Sequence, residues 1–340
     1  MSYITFQPSD YFNTKLYTGN GSSGNAQTGI GFQPDWVWIK DRGQVAGHQI
    51  FDSVRGATKR IQSDSTGVEV TNDGVSSFDS DGFTLGANSS CNENSQNFVA
   101  WNWKANGSGS SNTDGDITST VSANTTSGFS IVSYTGNSTA GATIGHGLGV
   151  KPSMIITKQR SGDVAEPVVY HTSTGATKFF KLNETGAVIT NSTLWNDTEP
   201  TSTLFTVGTA AVSNASYPMI AYCFAEKKGF SKFGSYTGNG NADGTFIYTG
   251  FKPAMVIYKR SDGIEGWMIQ DNRRPGYNPM GGNLFPNVSN AESTDARFDF
   301  LSNGFKARSG NQNTNASTHI FMAFAEEPLV SSNGVPATAR

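Results

Sequence analysis

Three stretches of the chain repeat one pattern: GFQPDWVWIKDRG from Gly31, GVKPSMIITKQRSG from Gly149 and GFKPAMVIYKRSDG from Gly250. In each, a proline (Pro34, Pro152, Pro253) is followed six residues later by a lysine (Lys40, Lys158, Lys259). The residues between them are strand-favouring or small. Upstream lies a second block, YTGN, at Tyr17, Tyr134 and Tyr236, with tyrosine-to-proline spacings of 17, 18 and 17 residues. Downstream lies a third: FVAWNWKA from Phe98, MIAYCFAE from Met219 and IFMAFAEE from Ile320. The first two repeats also share GATK at Gly56 and Gly175, TG at Thr66 and Thr185, and TN at Thr71 and Thr190, each pair offset by 119 residues. Blocks in constant order mark duplication. A period of about 100–120 residues is too long for a solenoid turn or propeller blade and is enough for a small β-sandwich.

The sequence therefore predicts an all-β chain of three tandem antiparallel β-sandwich domains with jelly-roll or lectin-like topology. They occupy residues 1–105, 114–226 and 227–328, with a Gly/Ser linker at 106–113 and a tail at 329–340. The stretch ANGSGSSNTDG from Ala105 to Gly115 is expected to be flexible. The junction EKKGFSKFG is short, so the second and third domains are expected to pack together. WVWIK and MVIYK are apolar runs behind a proline, as in strands covered on both faces. FSIVSYTG alternates like a half-buried strand. No long segment has helical periodicity, and the three domains are expected to have separate cores.

Composition narrows function. The net charge is −3, so no basic face for nucleic acid is expected. No apolar run approaches about 18 residues, and the first residues carry no secretory pattern. The sequons at Asn124, Asn137, Asn183, Asn191 and Asn214 then record polar turns. Cys91 and Cys223 fall in different repeats and are expected to be free thiols. His48, His146, His171 and His319 lack partners at zinc-ligand spacing and are expected on loops or sheet surfaces. The acidic turns at Asp79 and Asp114 could supply calcium oxygens but lack the spacing of a full calcium loop, and Asp79 and Asp81 suit a hairpin cap. Glu69 stands alone, and Glu226 and Glu326 sit at equivalent strand ends, so no carboxylate pair for glycoside hydrolysis emerges. GHGLGV at Gly145 precedes a strand, not a helix, and reads as a hairpin. No catalytic residue, metal or cofactor is expected.

One recurrent charge pair stands out. Asp52 and Arg55 in FDSVRG correspond to Asp271 and Arg274 in QDNRRPG, while the second repeat has His171 and Thr174. This spacing suits an ion pair that pins a turn. The third repeat adds Trp267, Arg273, Pro275 and Tyr277, and aromatic and arginine side chains are common interface anchors. The expected binding loop is thus Trp267, Asp271, Arg273, Arg274 and Tyr277, with Trp267 alternatively filling the core.

FQPSDYFNTKLYTGNG from Phe6, GFQPDWVWIKDR from Gly31, SGFSIVSYTGN from Ser127, GHGLGVKPSMIITK from Gly145 and AFAEEPLVSSNGVPATAR from Ala323 resemble virion structural proteins of tailed, especially marine, bacteriophages. The resemblance covers nearly the whole chain. It implies a tail-fibre or capsid-decoration protein on the particle surface, assembled in the bacterial cytoplasm, with no catalytic motif. The expected partners are other virion proteins, further copies in a homotrimer, and a host surface glycan; nucleic acid and membrane insertion are not expected. The alternatives are the carbohydrate-binding module of a tail spike and a glycan-active enzyme.

Overall fold

The computed structural model describes residues 6–162, 165–330 and 336–338. The repeated blocks become the same strands in all three units. A leading strand (Phe12–Thr18, Phe129–Thr135, Ser231–Thr237) pairs with a closing strand (Asn97–Trp103, Pro218–Phe224, Thr318–Pro328). The closing strand pairs with the proline strand (Trp36–Asp41, Met154–Gln159, Phe251–Arg260), which pairs with an outer strand (Gln49–Asp52, Val168–His171, Met268–Asp271). Every pairing is antiparallel, and the three four-strand arrays lie in three separate sheets. Smaller sheets of two or three strands accompany them. The architecture is all-β with several antiparallel sheets; among the described residues the α-helices are single turns of four residues.

Register fixes the equivalences. Tyr17 faces Phe98, Tyr134 faces Met219 and Tyr236 faces His319. The third downstream block is therefore shifted by one residue from the sequence alignment, and Met322, not Ala323, matches Trp101 and Tyr222.

The YTGN block has a physical reason. The tyrosine hydroxyls donate to main-chain carbonyls of a short helix: Tyr17 to Cys91, Tyr134 to Ser213 and Tyr236 to Thr314, at 2.7, 2.6 and 2.7 Å. The glycine must lack a side chain, because a Cβ on Gly19, Gly136 or Gly238 would lie 2.0–2.2 Å from the backbone of that helix end. The residue after the glycine then donates its backbone N–H to Asn92, Asn214 or Asn315.

The proline strands are buried on both sides, as the sequence indicated. Alternate residues point opposite ways along a strand. Val37 and Ile39 join an inner cluster with Phe83 and Leu85 of the small sheet; Ile155, and then Val256 and Tyr258, do the same in the other units. Trp36 and Trp38, Met154 and Ile156, Met255 and Ile257 face the other way, into one apolar cluster shared by all three units. The equivalent residues Trp103, Phe224 and Phe324 meet there pairwise, with ring centroids 5.6–6.5 Å apart. The units are thus not separately cored: each has an inner core, and a fourth core at the centre joins them.

The Gly/Ser linker is also held, against expectation. Ala105 and Gly107 donate backbone N–H groups to Asp35 at 2.7 and 3.1 Å, and Ser110–Asn112 pairs as a strand with Ser119–Asn124. Asp35 is buried, so its carboxylate needs those donors and fixes the chain in return. Of the tail at 329–340, residues 331–335 and 339–340 lie outside the described residues.

Candidate functional site

The charge-pair turns sit at the three seams of this ring, and each reaches the closing strand of the next unit. Asp52 accepts from Tyr222 Oη of unit two at 2.7 Å. His171 donates from Nε2 to the Phe321 carbonyl of unit three at 3.1 Å, its Nδ1 accepting from the Ser173 N–H. Asp271 accepts from Trp101 Nε1 of unit one at 3.0 Å. Trp101, Tyr222 and Met322 are equivalent; methionine offers no donor, so the middle turn carries a donating imidazole aimed at the neighbouring carbonyl.

Around the turns two seams are charged. Asp52 and Arg55 pair at 2.5 Å and Asp271 and Arg274 at 2.6 Å, all four side chains shut off from solvent. Arg55 extends to Glu69, which receives a two-pronged contact from Arg160 of unit two at 2.9 and 3.1 Å. Arg274 extends to Glu292, which is gripped by Arg42 of unit one at 2.8 and 3.1 Å. Burial alone would raise both glutamate pKa values, but the paired arginines hold Glu69 and Glu292 below the ordinary range. At the seam between units two and three the same three positions are Thr174, Val188 and Ser261. The main-chain bonds persist: Glu69, Glu292 and Val188 donate their N–H groups to the carbonyls of Arg160, Arg42 and Ser261 at 2.9–3.0 Å.

The repeated lysines are buried. Lys158 caps the carbonyls of Ser65 and Ala165, and Lys259 those of Thr185 and Arg260, so both stitch a unit to the one before it. Lys40 caps Asp41 and Gln44 within its own unit. Burial lowers all three to about 8.

The histidines, expected on loops or surfaces, are all inaccessible to solvent. His48 accepts from Trp38 Nε1 and donates to the Phe285 carbonyl across the seam with unit three, which requires a neutral ring. Burial lowers His48 to about 3 and His146 and His171 to about 4. Their carbonyl partners, invisible in sequence, are what allow these rings inside.

The five residues of the expected binding loop divide. Trp267 is 1% exposed, packs edge-on to Phe180 at 5.7 Å and donates to the Lys181 carbonyl. It occupies the core, so its ring presents no face to a sugar. Asp271 and Arg274 are the buried seam pair described above. Arg273 and Tyr277 are exposed, Tyr277 at 80%. Cys91 and Cys223 are free and buried in different inner cores, and burial pushes both thiols up. Asp79 accepts the local hydroxyls of Ser77 and Thr84, Asp81 instead accepts the backbone N–H groups of the distant Gly29 and Gly31, and Glu226 and Glu326 pair with Lys232 and Lys252. Among the described residues no group of three His, Cys, Asp or Glu side chains could hold a metal, and no helix is long and apolar enough to cross a membrane.

The asparagine beneath each YTGN block went unseen in the sequence. Asn92, Asn214 and Asn315 precede their downstream partners Phe98, Met219 and His319 by 6, 5 and 4 residues, so drift in spacing hides them. The signal that could have found them is an asparagine closing a four-residue helix in every unit.

No curated protein and no solved structure matches the chain. A family model described as a domain of unknown function (DUF7483) matches residues 7–328 and so spans all three units and the core they share. The chain belongs to that DUF7483 family.

Proposed function

We propose that the protein is a structural component of a tailed-bacteriophage virion surface, a tail-fibre or capsid-decoration protein that also contributes to host attachment. In this reading its units are jelly-roll or lectin-like β-sandwiches, its partners are other virion proteins, further copies in a homotrimer and a host surface glycan, and it is not an enzyme. The observation that carries the reading is the use made of its buried polar and charged groups. Lys158, Lys259, His48, His171 and the carboxylates of Asp52 and Asp271 are committed to holding three repeats in one ring. Such a body suits a particle surface, where rigidity and repeated outward faces count for more than chemistry. Immunogold labelling of purified particles tests it. Gold on the particle surface is expected, and its absence from particles that contain all other virion proteins would overturn the reading. Light scattering that shows only monomer, free and after gentle release from particles, removes the homotrimer.

A second reading, the glycan-binding module of a tail spike, is favoured by Phe246 and Tyr248. They alternate on an edge strand of the third unit and are 44% and 58% exposed. Flat exposed rings suit sugar stacking. Binding of a polysaccharide that survives loss of both rings would remove that support.

A further inference from the structure

The three seams differ in what fills the space beside the outer-strand end. Ser53, Thr172 and Asn272 are equivalent: their N–H groups donate to the carbonyls of Asp35, Ser153 and Ala254, each at 2.8 Å. At the first seam the linker runs past this point, and Ser53 Oγ donates to the Gly107 carbonyl at 2.7 Å. Units three and one are not consecutive, so no linker passes the equivalent point. There the structure leaves a small notch, open to solvent, bordered by Phe12, Asn13, Thr14, Asn272, Arg273 and Glu326.

Two side chains of this notch, Asn272 and Thr14, make no hydrogen bond among the described residues. Asn272 is 3% exposed, yet no hydrogen bond is made by its side-chain amide among the described residues. Thr14 is 7% exposed, and its buried hydroxyl has no partner. A buried polar group left unpaired is costly, so the Thr14 hydroxyl needs an explanation, while the unbonded Asn272 amide keeps a narrow opening to solvent. Arg273 adds an exposed guanidinium, also without an ion pair among the described residues, because the neighbouring Asp271 is taken up by Arg274 and Trp101. The acidic group of the lining, Glu326, lies 3.4 Å from Lys252, which offsets its charge.

We infer that this notch binds the carboxylate of an acidic sugar. The guanidinium fork of Arg273 and the amide of Asn272 supply donors side by side for the carboxylate, in the place where the linker carbonyl sits at the first seam. The Thr14 hydroxyl and the Glu326 carboxylate supply a donor and an acceptor for ring hydroxyls. The inference rests on the attachment part of the proposed function and gives it a ligand class.

The test is a titration of the isotopically labelled full chain with D-glucuronate, read by amide chemical shifts, with glucose and acetate as controls. Saturable shifts are expected at Asn13, Thr14, Asn272 and Arg273. Arg273→Ala and Asn272→Ala should each weaken binding at least tenfold, while Arg308→Ala, just past the small sheet of unit three, leaves it unchanged. Arg273 is exposed, so its alanine variant keeps the fold even where Asn272→Ala does not. Absence of any titration, or undiminished binding by folded Arg273→Ala, overturns the inference. Acetate binding as tightly as glucuronate overturns the sugar, and glucose giving the same shifts overturns the carboxylate. None of these results bears on immunogold labelling, so a failed ligand and a failed virion location remain distinguishable.

Discussion

The seam between units one and two and the seam between units two and three share one main-chain plan and differ in their side chains. The first holds Arg55, Glu69 and Arg160 in an ionic bridge around the buried Asp52; the second has Thr174, Val188 and Ser261 around the buried His171. Val188 packs against the central core, where Glu69 in the other seam needs two arginines. The persistence of the backbone bonds in both shows that geometry comes from strand register and the shared core. Charge is added on top, and it is a risk as much as a support: a buried ion pair holds only while it is complete.

The largest effect should come from breaking a charged seam. Asp52→Asn or Asp271→Asn removes the nearest counter-ion of a buried arginine, leaving it only the more distant glutamate, and should cost about 3–5 kcal/mol in urea unfolding. His171→Gln at the neutral seam should cost about 1–3 kcal/mol, the value of a buried hydrogen bond left unmade. Equal losses would dissolve the distinction between the seams.

A transplant sharpens it. Glu69→Val alone strands Arg160, whereas Glu69→Val with Arg160→Ser copies two of the three positions of the neutral seam and leaves Arg55 on Asp52. The double variant should lose less than the sum of the two single variants, with a coupling of about 1–3 kcal/mol. Strict additivity would mean that the bridge contributes nothing across the seam.

Acid separates the seams by a different route. The folded pKa of His171, about 4, lies below its unfolded value, so its contribution is present above about 6.5 and fades as the pH falls toward 4. The folded pKa values of Glu69 and Glu292 are lowered too, and their contribution fades only below the ordinary carboxylate range. Between pH 6.5 and 5, hydrogen exchange corrected for its intrinsic pH dependence should quicken at Val188 N–H and hold at Glu69 N–H. Parallel change at both amides would contradict this. The smallest difference is expected at the stitching lysines: Lys158→Met and Lys259→Met should agree within about 0.5 kcal/mol, because both cap carbonyls across a seam whatever its charge.

The proline-to-lysine block was legible because a doubly covered strand writes its burial as a continuous apolar run, and the sheets formed where it predicted strands. The closed ring was not legible. Its contacts run from side chains to main-chain carbonyls, such as Lys158 to Ser65 and His171 to Phe321, and carbonyls have no letter in a sequence. The linker misled for a related reason: its Gly/Ser content signals freedom, but Asp35, seventy residues upstream of Ala105, removes that freedom. Trp267 misled because an aromatic beside arginines resembles an interface anchor. It stands four residues ahead of Asp271, as His48 does of Asp52, and both face the interior. Of the expected loop, only Arg273 and Tyr277 reach the surface.

The central core has a consequence for how the sequence can drift. In a trimer of identical chains, a residue on the threefold axis meets two copies of itself, so any change in size is made three times at once. Here three repeats share one chain, and each axial position varies alone. Trp103 meets Phe224 and Phe324, and the broad face of Trp36 and Trp38 is matched by the narrower Met154, Ile156, Met255 and Ile257. Bulk gained in one repeat can be returned by another. Covalent linkage thus releases the axis from symmetry, and one repeat can become tryptophan-rich while its siblings stay aliphatic.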